Sequence, residues 1–297
     1  MKFAFFLGCT VPARLQQYEA SSRAVLETFG VELQDIKEFN CCGYPIRNSD
    51  YKAAILSSAR NLALAKRQNL DMLVLCQCGF GMLKHADYHL RENPGLREEI
   101  NALLTREGIT YEGGVEIKHL LSVLYHEVGI DAIKEKVTKP FKDLRIATHY
   151  GCHALRPSEI TQFDDPVNPT LFDALVEATG AESIDWQARL DCCGAPLFGV
   201  NDDLSMDLLE KKVTNARESG AEYLCVGCPY CHIQFDTVQT MLHRERSGNH
   251  LLPPILYPQL LGLSLGMERH ALGLGMNRIE ITSIEKFLSE QAASGNS

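Results

Sequence analysis

The chain has little that would place it in a membrane or on nucleic acid. Among its 297 residues, no apolar run approaches the ~20 that a membrane-spanning helix needs. The longest candidate, 255–267, is interrupted by Pro258 and Gln259 and reads as a strand entering a helix. A surplus of positive charge is also missing. The 29 Lys and Arg stand against 38 Asp and Glu, and the net charge of −9 disfavours nucleic acid as a partner. The opening MKFAFFLGCT holds an apolar run too short for a secretory signal and has no cleavage site. The expectation is therefore a cytoplasmic protein with no direct membrane insertion. Nucleotide signatures are absent as well: there is no P-loop, and the glycine-rich 262–275 lacks both a preceding strand and G-x-G-x-x-G order. No Ser-His-Asp pattern stands out.

What the chain has instead is cysteine, eleven in all. Cytosolic thiols stay reduced, so this number argues for metal or redox chemistry rather than a disulfide framework. The placement repeats. A single Cys9 precedes the doublet Cys41-Cys42-Gly43-Tyr44-Pro45 and the close pair Cys76-Gln77-Cys78. Cys152 likewise precedes Cys192-Cys193-Gly194-Ala195-Pro196 and Cys228-Pro229-Tyr230-Cys231. Intervals of 31 and 39 residues lead to the doublets, and intervals of 33 and 34 follow them. Only Cys225 falls outside the scheme, and its place in an apolar strand reads as a packed thiol.

The surrounding pattern repeats too. Each half opens on a hydrophobic strand ending near its first cysteine (3–7, 145–148), followed by an amphipathic helix stopped at Gly30 or Gly180. A second strand leads to the doublet (31–36, 182–186), and a long helix lies beyond it (51–68, 204–219). A third strand (72–75, 223–226) delivers the closing cysteines before another helix, and each half finishes on a strand–helix unit (115–127, 255–266). Such alternation predicts an α/β fold: two pseudo-repeated domains, 1–140 and 141–297, each a small, mostly parallel sheet flanked by helices. The charged segment 135–144, with Pro140, marks the boundary. In open parallel sheets, ligand sites form at strand carboxyl ends, which explains how cysteines ~70 positions apart can meet.

Five thiols per half are too many for one tetrahedral zinc, and a doublet is not a zinc knuckle. Iron–sulfur clusters fit better, since several irons offer more positions for thiolates. Gly43 and Gly194 permit a turn with positive φ that aims backbone N–H groups at cluster sulfurs, and are the candidate cofactor-binding glycines. Pro45 and Pro196 then fix the chain's exit.

These residues resemble the CCG domain found in the B subunit of heterodisulfide reductase and its relatives. The resemblance covers essentially the whole chain, through both doublet turns, GCH at 151–153, CPYCH at 228–232 and YPQLLGL at 257–263. It implies a non-cubane [4Fe-4S] cluster on Cys152, Cys192, Cys193, Cys228 and Cys231. It also implies a [4Fe-4S] cluster, its type left open, on Cys9, Cys41, Cys42 and one or both of Cys76 and Cys78. The first repeat departs from the family here, because Gly79 or Gly81 stands where C-x-x-C would place its second cysteine. The implied partners are the family's ferredoxin-like C subunit, with the flavin-carrying A subunit behind it, and the implied substrate is a disulfide or sulfane sulfur. Three activities remain open: disulfide reduction, the sulfur-oxidising reverse, and a non-catalytic electron-transfer adaptor in a succinate- or quinone-linked complex. His153, beside Cys152, is the candidate proton donor to a leaving thiolate, or else a hydrogen-bond partner of a cluster sulfur. His232 reads as the latter. His85 and His89 read as one exposed helical face, and Trp186 as core.

Overall fold

The computed structural model describes residues 1–246 and 251–289; residues 247–250 and 290–297, within the second expected unit, lie outside them. Four strands, β1 (Lys2–Phe6), β2 (Glu32–Asp35), β3 (Asp71–Val74) and β4 (Ile117–His119), form the first sheet. The second half repeats them as β5 (Arg145–His149), β6 (Glu182–Ile184), β7 (Tyr223–Val226) and β8 (Pro254–Leu256). Every pairing is parallel, and the two orders match: β2-β1-β3-β4 and β6-β5-β7-β8. The central strands are nearly continuous apolar runs because helices cover both of their faces, and Ala4, Phe6, Met72, Leu73, Leu224 and Val226 are buried. The α/β fold with two parallel sheets is thus the one the sequence predicts.

The long helices begin where a polar side chain can satisfy their free N–H groups. Asp50 accepts from Ala53 N at 2.9 Å to start Tyr51–Arg67, and Asn201 accepts from Leu204 N at 3.1 Å to start Asp202–Glu218. The second of these starts two residues earlier than the apolar periodicity suggests, because Asn201 rather than the first hydrophobe sets its end. The interval of 39 rather than 31 residues after Cys152 is taken up by two short helices, Cys152–Leu155 and Ser158–Thr161. Both pack on Gln77–Glu92 of the first half.

The halves exchange helices. Gln16–Thr28 packs against Tyr257–Ser264, and Leu171–Glu177 packs against Leu120–Ser122 and Val123–Val128. Each half thereby covers its partner's last strand–helix unit. At the pivot, the buried Tyr18 Oη lies 3.0 Å from Leu75 O and 2.9 Å from Gly227 O, sharing its proton between the ends of β3 and β7. The charged segment near residue 140 is strapped down: Thr138 and Lys139 N donate to Ser264 O at 3.0 and 2.8 Å, and Phe141 is buried and bridges to Leu288.

His119 closes β4. Its Nδ1 accepts from Leu121 N at 3.2 Å while its Nε2–H donates to Leu75 O at 3.1 Å, so both nitrogens are engaged by the neutral ring. Burial pushes its pKa from 6.5 to about 4. A depressed folded-state pKa means that the unfolded chain takes up the proton first. The stability His119 contributes is therefore complete above pH 6.5 and is lost as pH falls toward 4. His232, also held at about 4 by burial, acts over the same window. Urea midpoints should fall across that range, and less steeply in His119→Gln than in the unaltered chain. Parallel pH profiles for the two would overturn this account.

Candidate metal centre

The two cysteine doublets sit in the same turn. Gly43 (φ 88°) and Gly194 (φ 86°) are left-handed, and a Cβ on either would come within 2.6 Å of backbone atoms of Ala54 or Ser205. No other residue fits both demands. Each glycine N–H donates to the first sulfur of its doublet, Gly43 to Cys41 and Gly194 to Cys192, both at 3.4 Å. The following helix holds the turn from beneath. Ser57 and Ser58 Oγ donate to Cys41 O and Cys42 O at 2.6 Å, and Ser205 Oγ donates to Gly194 O at 3.0 Å.

The closing cysteines fall into register. Cys76 and Cys228 each lie two residues beyond a strand and cap the next helix, Gln77–Glu92 or Pro229–Ile233. Gly79 then matches Cys231, whose Sγ lies 3.5 Å from Cys193 Sγ. A Cβ on Gly79 would lie 3.8 Å from Cys42 Sγ. The first half has lost its fifth thiol there, and Cys78 comes from a neighbouring position.

The sulfurs do not separate into two isolated sets, as the repeat by itself would suggest. Cys76, Cys78 and Cys228 gather within 4.8 Å of one another across the halves. Cys9 and Cys41 lie 3.6 Å apart on the outer side. Cys9 and Cys192 are exposed, Cys41 and Cys152 half-buried, and Cys42, Cys76, Cys78, Cys193, Cys228 and Cys231 buried. Cys225 is also buried, inside β7 and packed as expected. Hydrogen bonds from Cys152 and then Cys193 draw Cys192 down to about 2, while the bond to Cys192 pushes Cys193 up to about 12. Burial works against ionising Cys228, yet hydrogen bonds from Cys231, Cys76 and Cys78 carry it well below the usual thiol range.

His153 bridges the halves: its Nδ1 lies 3.2 Å from Cys152 Sγ and 3.8 Å from Cys78 Sγ, and its ring meets Tyr44 edge-on at 4.8 Å. A small void of about 10 Å³, room for about one water, lies beside it, lined by Cys78, Cys152, Cys192 and Tyr230. His232 is buried, and its ring nitrogens have no hydrogen-bond partner among the described residues. Neither nitrogen bonds a cysteine sulfur among the described residues. His85 and His89 are half-buried and stacked on each other rather than exposed, and Trp186 is in the core, its Nε1 donating to Thr148 O at 3.1 Å.

Sequence reasoning missed His149 and Gln77. His149 Nε2 lies 3.2 Å from Cys231 Sγ and, with Cys193, makes a second compact donor group. His149 ends β5 where its counterpart Phe6 ends β1. Gln77 sits between the halves facing Gly151 and Gly227, both polar atoms of its amide buried without a partner among the described residues. Soft thiolates in contact, backbone N–H groups aimed at sulfur and an orphaned buried amide together fit a sulfur-ligated metal cluster.

Parallel α/β halves that each present a doublet turn and a closing thiol define a twofold cysteine-rich protein. A family described as "Cysteine-rich domain" matches residues 3–84 and 146–236. The chain belongs to the family of heterodisulfide reductase B subunits. It is 34% identical over 284 residues, 94% of each chain, to the B subunit of the ferredoxin:CoB-CoM heterodisulfide reductase of Methanosarcina mazei. It is 33% identical to the 8-methylmenaquinol:fumarate reductase membrane anchor subunit of Wolinella succinogenes, covering 95% of this chain and 99% of that one. A hypothetical protein from Helicobacter pylori shares the fold at 18% identity with a TM-score of 0.75; the match takes in 95% of this chain but about half, 52%, of that one. No helix among the described residues is long and apolar enough to cross a membrane.

The turn glycines give a direct test. Gly199 is also left-handed (φ 87°) but has open space where a Cβ would stand. Gly199→Ala should therefore cost only the ~1–2 kcal/mol of a left-handed alanine. Gly194→Ala adds a backbone clash worth roughly 1–3 kcal/mol more. Anaerobic denaturant titration checks the difference, and equal losses would show that the contact with Ser205 O is not a constraint.

Proposed function

We propose that this chain is the disulfide-handling member of a multi-subunit oxidoreductase. Ten of its cysteines hold two iron–sulfur clusters: a non-cubane [4Fe-4S] cluster on Cys152, Cys192, Cys193, Cys228 and Cys231, and a [4Fe-4S] cluster on Cys9, Cys41, Cys42, Cys76 and Cys78. The observation that carries this reading is the position of His153, its ring nitrogen 3.2 Å from Cys152 Sγ beside the small void that the complete five-thiol set lines. The reaction is R–S–S–R′ + 2 e⁻ + 2 H⁺ → RSH + R′SH: one S–S bond breaks and two S–H bonds form. The clusters supply the electrons singly.

The protein's own residues orient and protonate. Tyr44 and Cys152 fix the His153 ring from its face and its Nδ1, so that it can deliver a proton to the departing thiolate. Cys192 and Tyr230 line the small void beside this ring. No flavin or nicotinamide motif is present in the sequence, so electrons come from a partner. In this reading that partner is a ferredoxin-like C subunit, docked by the first half, where Cys9 is exposed; a flavin-carrying A subunit supplies it in turn. The two halves divide near residues 140–141, and the complex works in the cytoplasm. A second reading, an electron-transfer adaptor of a quinone-linked complex, is favoured by the Wolinella succinogenes relative, which is named as a fumarate reductase membrane anchor subunit.

Anaerobically purified protein should hold about four to eight irons per chain, and Cys192→Ala or Cys193→Ala should strip the second cluster. His153→Ala should keep iron content and cluster spectra while lowering disulfide turnover by roughly 10²-fold. Stoichiometric zinc without iron sinks the cluster assignment. Full turnover in His153→Ala, or quinone reduction in its place, transfers support to the adaptor reading.

A further inference from the structure

The two doublet turns are superposable in sequence at a constant offset of 151 positions, from Cys41 and Cys192 through the helices Tyr51–Arg67 and Asp202–Glu218. Among the positions of that helix that are buried in both halves, one differs in charge. In the first half Asn61 holds the approach to the doublet: its Oδ1 accepts from Asn40 N at 3.0 Å and its Nδ2 donates to Cys41 O at 3.3 Å. In the second half the counterpart is Lys212. Its ammonium donates to Asp191 O at 2.8 Å and to Ala188 O, and lies 4.8 Å from the centroid of the Trp186 ring. Lys212 is 1% exposed. A neutral amide and a buried cation thus do the same holding work, each on the backbone just ahead of a doublet.

That difference reaches the sulfurs. Burial pulls the pKa of Lys212 down to about 8, while the Asp191 carboxylate and the ionised Cys192 hold it up and leave it cationic at pH 7. Among the described residues no carboxylate pairs with its ammonium, whose hydrogen bonds go to carbonyls. His149, which faces the same sulfurs, is kept neutral by burial. Around the first doublet the cations are less buried: Arg47 is half-buried over the Tyr44 ring, and Arg60 is ion-paired with Glu107. Water screens such charges, whereas a charge inside the protein acts at low dielectric. Positive charge beside a cluster favours its reduced, more negative form.

We propose that Lys212 is a positioning residue that raises the reduction potential of the second-half centre, and that Asn61 leaves the first-half centre without that lift. The proposal rests on the two-cluster reading above. An electron leaving the first centre, which is oxidised, then passes downhill to the second, which is reduced, beside His153.

Redox titration of the iron-loaded full chain, followed by electron paramagnetic resonance, tests this, with signals assigned through Cys41→Ala and Cys192→Ala. Lys212→Gln keeps a neutral donor for the same carbonyls. It should shift the sharing of one electron about tenfold toward the first centre, equivalent to about 59 mV, with iron content unchanged and the first centre's potential unmoved. Lys212→Arg should match the unaltered chain, and Asn61→Lys should raise the first centre instead. An unmoved second potential in iron-replete Lys212→Gln overturns the proposal. So does an equal shift in Lys212→Arg, which would point to geometry rather than charge. If the unaltered chain binds no iron, the two-cluster reading itself fails and takes this inference with it.

Discussion

Ten sulfurs crowd the carboxyl ends of two small sheets, and no arrangement of thiolates so close together is stable without something to absorb their negative charge. Much of the surrounding structure answers that demand. Gly43, Gly79 and Gly194 each turn a backbone N–H onto a cysteine sulfur at 3.4 Å. Among the thiols themselves the proton is unevenly shared, with Cys192 and Cys228 accepting hydrogen bonds and Cys193 and Cys231 held protonated. Bound iron would supply what these donors only begin: cationic centres for the sulfurs of each half to approach.

The same demand accounts for how the halves meet. A site assembled at the ends of β1 and β3 opens toward solvent, and so does its counterpart at β5 and β7. Facing the two toward each other buries Cys76, Cys78 and Cys228 together. Tyr18 fixes the spacing by holding the carbonyls just ahead of Cys76 and Cys228 with a single phenol. His153 and Gln77 fill the seam, one touching a sulfur from each half, the other with an amide that has no partner among the described residues.

The repeat was legible in the sequence because its chemistry is periodic. Cysteine spacing located both doublet turns, glycine stops located the first helices, and apolar runs located the strands to within about two residues. What the spacing could not convey was contact between the halves. Nothing in the order of residues says that Cys228 will lie nearer Cys76 and Cys78 than a site built within one half would allow, since that closeness comes from tertiary packing. His149 was hidden for a related reason: it ends a hydrophobic strand, where a histidine reads as an isolated polar interruption until its register beside Cys231 is known. Nothing in the sequence separates Lys212 from the neighbouring Lys211 on its helix, and only its burial against the backbone of residues 188–191 sets it apart.

The exchanged helices have a historical consequence. Because Gln16–Thr28 covers Tyr257–Ser264 while Leu171–Glu177 covers residues 120–128, a polypeptide of half this length would leave an apolar helix face bare. It could satisfy both contacts only by associating with a second copy about a twofold axis. Joining the copies in one gene removes the need for two identical surfaces and frees each to diverge. Asymmetry can then accumulate one residue at a time, as Phe6 against His149, Asn61 against Lys212 and Gly79 against Cys231 now record. An ancestral homodimer would have carried the same ligands on both sides of its axis, with no preferred direction for an electron to travel.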